Sequence, residues 1–131
     1  MTATAPARTA RVALVCRDDK AGEAAMSFLA QLGLEPVISQ QPTPDGSSLE
    51  LLEALRQTDF ALVLQDDRLL EIGFLLAALG RQRIFVLQQR EGQVGLVGLP
   101  HQLMDEAGTW RLLLAREMKR CGLDVDLNKA L

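Results

Sequence analysis

The chain is poor in the residues that mark the more easily recognised chemistries. Of its 131 residues two are cysteines, Cys16 and Cys121, and one is a histidine, His101. Two thiols cannot build a disulfide framework, and a lone histidine beside Pro100 offers no metal-ligand cluster. Buried free thiols, a surface histidine and no bound metal are the expectations, in a reducing cytoplasm. No run of 18 apolar residues occurs, so no membrane span is expected. Residues 1–10 are rich in Ala and Thr and lack an apolar core segment, which predicts a loose tail rather than a secretory signal. Positive charge is not in excess either. Fourteen Lys and Arg stand against seventeen Asp and Glu, a net charge of −3. That balance argues against a partner bound through its phosphate backbone, such as nucleic acid.

What is present is enough apolar material for one core. Hydrophobic residues make up 48% of the chain and the mean hydropathy is +0.09. With no internal repeat and no linker-like stretch, residues 11–131 are expected to form a single domain. Apolar runs and helical periodicities then alternate along the chain. A strand is predicted at 11–16, a polar turn at 17–20 and a helix at 20–32, capped by Asp18 or Asp19 and stopped by Gly33. A second strand at 34–38 contains Pro36, which suits an edge. Residues 39–48 form a long polar loop, followed by a helix at 48–57 and a strand at 59–64. A helix at 69–79, stopped by Gly80, leads to a fourth strand at 83–87. A weak fifth strand is expected at 94–99, an irregular stretch at 100–108 and a last helix at 109–121, stopped by Gly122 before a short tail.

Such alternation predicts a three-layer α/β fold with a five-stranded parallel sheet and helices on both faces. An edge position for the second strand fits the flavodoxin-like order 2-1-3-4-5. In that order the loops after strands one, two and three gather at the switch point. One group stands out there. Glu71 is the sole charge between Arg68 and Arg81, in the first turn of a helix that is apolar nearly all round and is expected to be buried on most sides. A carboxylate in a first turn can simply balance the positive helix end. At the switch point it can also face a cleft, which makes Glu71 the favoured catalytic candidate.

Three stretches carry a resemblance to a known family. The first is Glu71-Ile-Gly-Phe-Leu-Leu-Ala-Ala-Leu-Gly80-Arg-Gln-Arg-Ile84. The second is Phe28-Leu-Ala-Gln-Leu-Gly33-Leu-Glu-Pro-Val-Ile38, followed by Gln41, Pro42 and Gly46. The third runs from Trp110 to the ending Val125-Asp-Leu-Asn-Lys129. Together they resemble the bacterial TIR-like nucleotide-binding domains, which include the TIR effectors of anti-phage signalling systems. The resemblance implies a TIR fold and, in active members, hydrolysis of NAD at the nicotinamide–ribose bond. It implies Glu71 as the catalytic carboxylate and residues 39–48 as the mobile loop beside the active site; the loops that gather at the switch point make Cys16, Arg17, Asp19, Gln41, Pro42, Gly46, Ser47, Asp66 and Arg68 the nucleotide-binding candidates. It also implies self-association, with sites completed by a neighbouring chain, and no required cofactor beyond NAD as substrate. A separate sensor protein, a ligand at a further site or concentration alone would supply the trigger.

The chain departs from that family in two places. The turn after strand one is Cys16-Arg-Asp-Asp19, of which the last aspartate alone matches, and the segment before Glu71 is short. Asp18, Asp19, Asp66 and Asp67 bring negative charge to the rim, offset in part by Arg17 and Arg68. These departures keep two alternatives open. One is a TIR-like module that binds a nucleotide or a partner without catalysis. The other is a receiver-like phosphoacceptor in which Asp18, Asp19 and Asp66 hold Mg²⁺, although Gln88 and Gln89 stand where such domains place Ser or Thr.

Overall fold

Three short apolar runs, at 11–15, 60–63 and 84–88, become inner strands because helices cover them on both sides, and two less apolar stretches pair at the sheet edges. In the computed structural model of the protein, residues 9–17, 19–39, 49–64, 69–89 and 99–130 are described. The strands are β1 (Arg11–Val15), β2 (Glu35–Ser39), β3 (Phe60–Val63), β4 (Ile84–Gln88) and β5 (His101–Leu103). The helices are α1 (Lys20–Gln31), α2 (Leu49–Arg56), α3 (Leu69–Leu79) and α4 (Thr109–Arg120), with single 3-10 turns at Arg81–Arg83 and Leu127–Ala130. Every strand pairing is parallel, and the order is β2-β1-β3-β4-β5. This is the flavodoxin-like α/β arrangement predicted from the alternation.

Alternate residues of the central strands feed two cores. Val12, Leu14, Phe60, Leu62, Phe85 and Leu87 face α1 and α4. Ala13, Val15, Ala61, Val63, Ile84 and Val86 face α2 and α3. Burial on both faces explains why these strands are continuous apolar runs rather than alternating ones. On the first side Phe28 of α1 meets Trp110 of α4 edge to face, with centroids 5.4 Å apart and planes at 73°. Such a pair contributes about 1 kcal/mol beyond its burial. The predicted helix stops at Gly33, Gly80 and Gly122 all have positive φ, at 78°, 83° and 96°. There a residue without Cβ turns the chain at no steric cost.

Four expectations need correction. The fifth strand is His101–Leu103, inside the stretch predicted to be irregular; residues 94–98 of the predicted strand lie outside the described residues. Pairing starts at the Pro100 carbonyl, which accepts from Val86 at 2.9 Å, and continues to Met104, which donates to Gln88 at 2.8 Å. An edge strand bonds on one side only, so register outweighs hydrophobicity in choosing it. Secondly, α3 is not buried on most sides. Glu71, Ile72 and Leu75 face inward, whereas Leu70 is 63% exposed and Gly73, Ala77 and Ala78 face outward. A helix in an outer layer meets the sheet on one side, and here the outward side is apolar but mostly small. Thirdly, Cys121 is half-buried where a buried thiol was expected, its Sγ donating to the Gln82 carbonyl at 3.1 Å. Fourthly, the short tail after Gly122 is packed. Leu123, Val125 and Ala130 are buried in the core beneath α1 and α4, and the Gln31 side-chain amide donates to the Lys129 carbonyl.

Candidate functional site

The chain moves from β1 outward to β2, then crosses back to β3 on the other side of β1. That reversal makes the carboxyl ends of β1 and β3 the topological switch point, the place where open α/β sheets bind ligands. The strand exits there are fastened to one another. Cys16 donates its N–H to the Ser39 carbonyl at 3.0 Å, and Leu64 donates to Val15 at 2.7 Å. The Gln89 side-chain amide, leaving β4, donates to the Leu64 carbonyl at 3.3 Å.

Glu71 sits in the first turn of α3, just beyond β3, and is 4% exposed. It precedes Leu75, which is fully buried, by one helical turn, so both lie on the sheet-facing side. Burial of a carboxylate is costly without compensation. The positive end of α3 offsets part of that cost, and Glu71 also interacts with its surroundings. Among the described residues the buried polar or charged side chains are Ser39, Thr58 and Glu71, and Glu71 alone of these carries a charge.

The turn after β1 brings Cys16, Arg17 and Asp19 to the same end of the sheet. Their side chains have different settings. Cys16 is fully buried, with its thiol in the core on the α1 side. Arg17 is exposed. The Asp19 carboxylate caps α1, with Oδ1 accepting from the Gly22 amide at 2.9 Å, so the predicted choice between Asp18 and Asp19 has an answer. Gln41, Pro42, Gly46, Ser47, Asp66 and Arg68, named from the sequence as nucleotide-binding, lie outside the described residues, as does Asp18.

Two residues of this rim were not singled out from the sequence. Ser39 is fully buried at the end of β2. Gly22 lies against the β1–α1 turn so closely that a Cβ on it would come within 2.4 Å of the Arg17 carbonyl. The available signal was its position three residues after a capping aspartate, where a glycine has no helical purpose.

Described hollows lie elsewhere. One of about 430 Å³ opens at the carboxyl end on the α1–α4 face, between Lys20, Gln89, Met104, Asp105 and Arg111. One of about 650 Å³ lies at the opposite end, where Ala10, Gly33, Asp59 and Gly122 meet. A third, also about 430 Å³, runs between β5 and α4. Glu71 lines none of these three. Among the described residues no group of three or more His, Cys, Asp or Glu could hold a metal ion, and no helix is long and apolar enough to cross a membrane. His101 lies on β5, exposed, with Nδ1 3.2 Å from the Leu99 carbonyl.

Chemically, the described part of the rim offers a buried carboxylate, Glu71, on a helix packed against the sheet. Such a group can hold hydroxyls and stabilise a developing positive charge. No protein-family model matches the chain. A curated protein of Escherichia coli strain K12, described as uncharacterized protein YuaY, is 30% identical in a match that covers 87% of this chain and 46% of that protein. The chain therefore spans about half the length of the curated relative it resembles.

Proposed function

We propose that the chain is a TIR-like nucleotide-binding domain that hydrolyses NAD at the nicotinamide–ribose bond, with Glu71 as the catalytic carboxylate. The observation that carries this reading is the position of Glu71: the one acidic side chain of an otherwise apolar helix, in its first turn, at the switch point. The three stretches that resemble TIR-like domains support it from the sequence side.

The chemistry needs little else. Nicotinamide in NAD is a cationic leaving group and departs with the electron pair of the bond, becoming neutral. The ribose left behind carries oxocarbenium-like charge. Glu71 stabilises that charge and holds ribose hydroxyls, as carboxylates do in glycoside chemistry. Water adds to the ribose and loses a proton to solvent, so NAD and water give nicotinamide, ADP-ribose and a proton. Arg17 and Arg68 supply positive charge for the pyrophosphate. Self-association completes the site, a separate sensor protein supplies the signal, and a reducing cytoplasm suits the two free thiols.

A second reading, a non-catalytic nucleotide-binding or interaction module, is favoured by two observations. Glu71 is nearly closed off from solvent, and the Asp19 carboxylate is engaged in capping α1. One experiment separates the two. The concentrated protein is incubated with NAD and the products are resolved by chromatography. The hydrolase reading expects nicotinamide and ADP-ribose in equal amounts from the wild type, with Glu71→Gln slower by about a hundredfold or more. If wild type and variant both leave NAD intact at high concentration and under crowding, the hydrolase reading is wrong.

A further inference from the structure

The two edges of the sheet are unlike. β2 carries Pro36, which cannot donate to an added strand. β5 has no such block within it. The Pro100 carbonyl and the Met104 N–H point to β4, and the parallel register pairs Leu87 with Gln102. By alternation, the N–H and C=O of His101 and the N–H of Leu103 turn away from the sheet. The Leu103 carbonyl is met at 3.1 Å by the Asp105 amide. The outward edge of β5 therefore presents two donors and one acceptor, and no strand pairs with it among the described residues.

A groove of about 430 Å³ runs beside that edge. Phe85 and Leu113 give it apolar walls, and α4 contributes Arg116, Glu117 and Arg120. Glu117 Oε2 is held by Arg120, at 2.8 Å from Nε and 2.7 Å from Nη2. Arg116 is exposed and has no ionic partner among the described residues. The wall is thus net positive, although the chain as a whole is acidic.

Backbone groups at a sheet edge, apolar walls and an unpaired guanidinium together match strand addition. We propose that the outward edge of β5 and the groove beside α4 receive an extended acidic segment of a partner protein as an added strand. Its backbone pairs with His101 and Leu103, and one of its carboxylates meets Arg116. Three backbone groups make a short pairing, so the charge contact sets which segments bind. This surface is separate from the Glu71 rim and holds whether or not the chain hydrolyses NAD.

The test uses the full chain and a fluorescent heptapeptide of alternating valine and glutamate, blocked at both ends, followed by anisotropy. Saturable binding is expected. A valine–lysine peptide, and a valine–glutamate peptide N-methylated at alternate amides, should each bind at least about tenfold more weakly. Arg116→Glu should weaken the acidic peptide by a similar factor. Leu103→Pro should do the same while keeping β5 paired to β4, because the lost N–H points outward. If Leu103→Pro does not fold, Arg116→Glu and the N-methylated peptide still decide. Absence of saturable binding, equal binding of the lysine or N-methylated peptide, or occupation of this edge by a second copy of the chain, seen by sedimentation, would overturn the proposal.

Discussion

Asp19 and Gly22 close the first turn of α1 on each other: the aspartate Oδ1 accepts the glycine N–H at 2.9 Å, while the glycine Cα rests against the Arg17 carbonyl. The cap ties residue 22 to residue 19 and the close approach sets it against residue 17, so the exit of β1 is fixed by both a hydrogen bond and a steric fit.

Gly22→Ala tests that fit. In an ordinary helix the change would stabilise by about 0.5–1 kcal/mol. Here the new Cβ meets a backbone carbonyl at 2.4 Å, which must move. Overpacking of this kind costs about 1–3 kcal/mol, so net destabilisation is expected. Urea unfolding reads the sign directly.

The one-sided burial of α3 makes a paired prediction. Leu75→Ala removes a fully buried side chain and should cost about 2–5 kcal/mol. Leu70→Ser changes a residue that is 63% exposed and should stay within about 0.5 kcal/mol. Equal losses in a denaturant titration would mean that the outer face of α3 is covered in solution.

The stretch after Gly122 gives a third. Leu123 is buried under α1 and α4, so Leu123→Ala should cost about 2 kcal/mol or more. Asp124 is exposed, and Asp124→Ser should leave the thermal midpoint nearly unchanged. A loose tail would give no difference between them.

Where one physical cause dominates, the sequence was enough. Helix α3 is legible to the residue because an apolar block ends in a glycine at Gly80. The order of strands follows from Pro36 and from three continuous apolar runs. Register defeats such reading at β5, since His101, Gln102 and Leu103 have no strand-like pattern and are recruited by β4. The buried tail was hidden because Leu123, Val125 and Ala130 are spaced for no regular element. Glu71 was legible as the single charge on an apolar helix, though not the depth to which it is buried. Gly22 was missed because a steric contact with a carbonyl five residues back leaves no periodicity. Six of the nucleotide-binding residues named from the sequence fall outside the described residues, and Cys16 and Asp19 turn out to have structural roles as well.

On the proposed nucleotide-binding reading, the tight seat of Gly22 against the Arg17 carbonyl also bears on selectivity. A wall that is already rigid before anything arrives loses no freedom when a visitor docks, and it cannot bend to suit a poor one. Discrimination at that side of the proposed site should then come from shape, and whatever accommodation a guest requires must be supplied by the other walls.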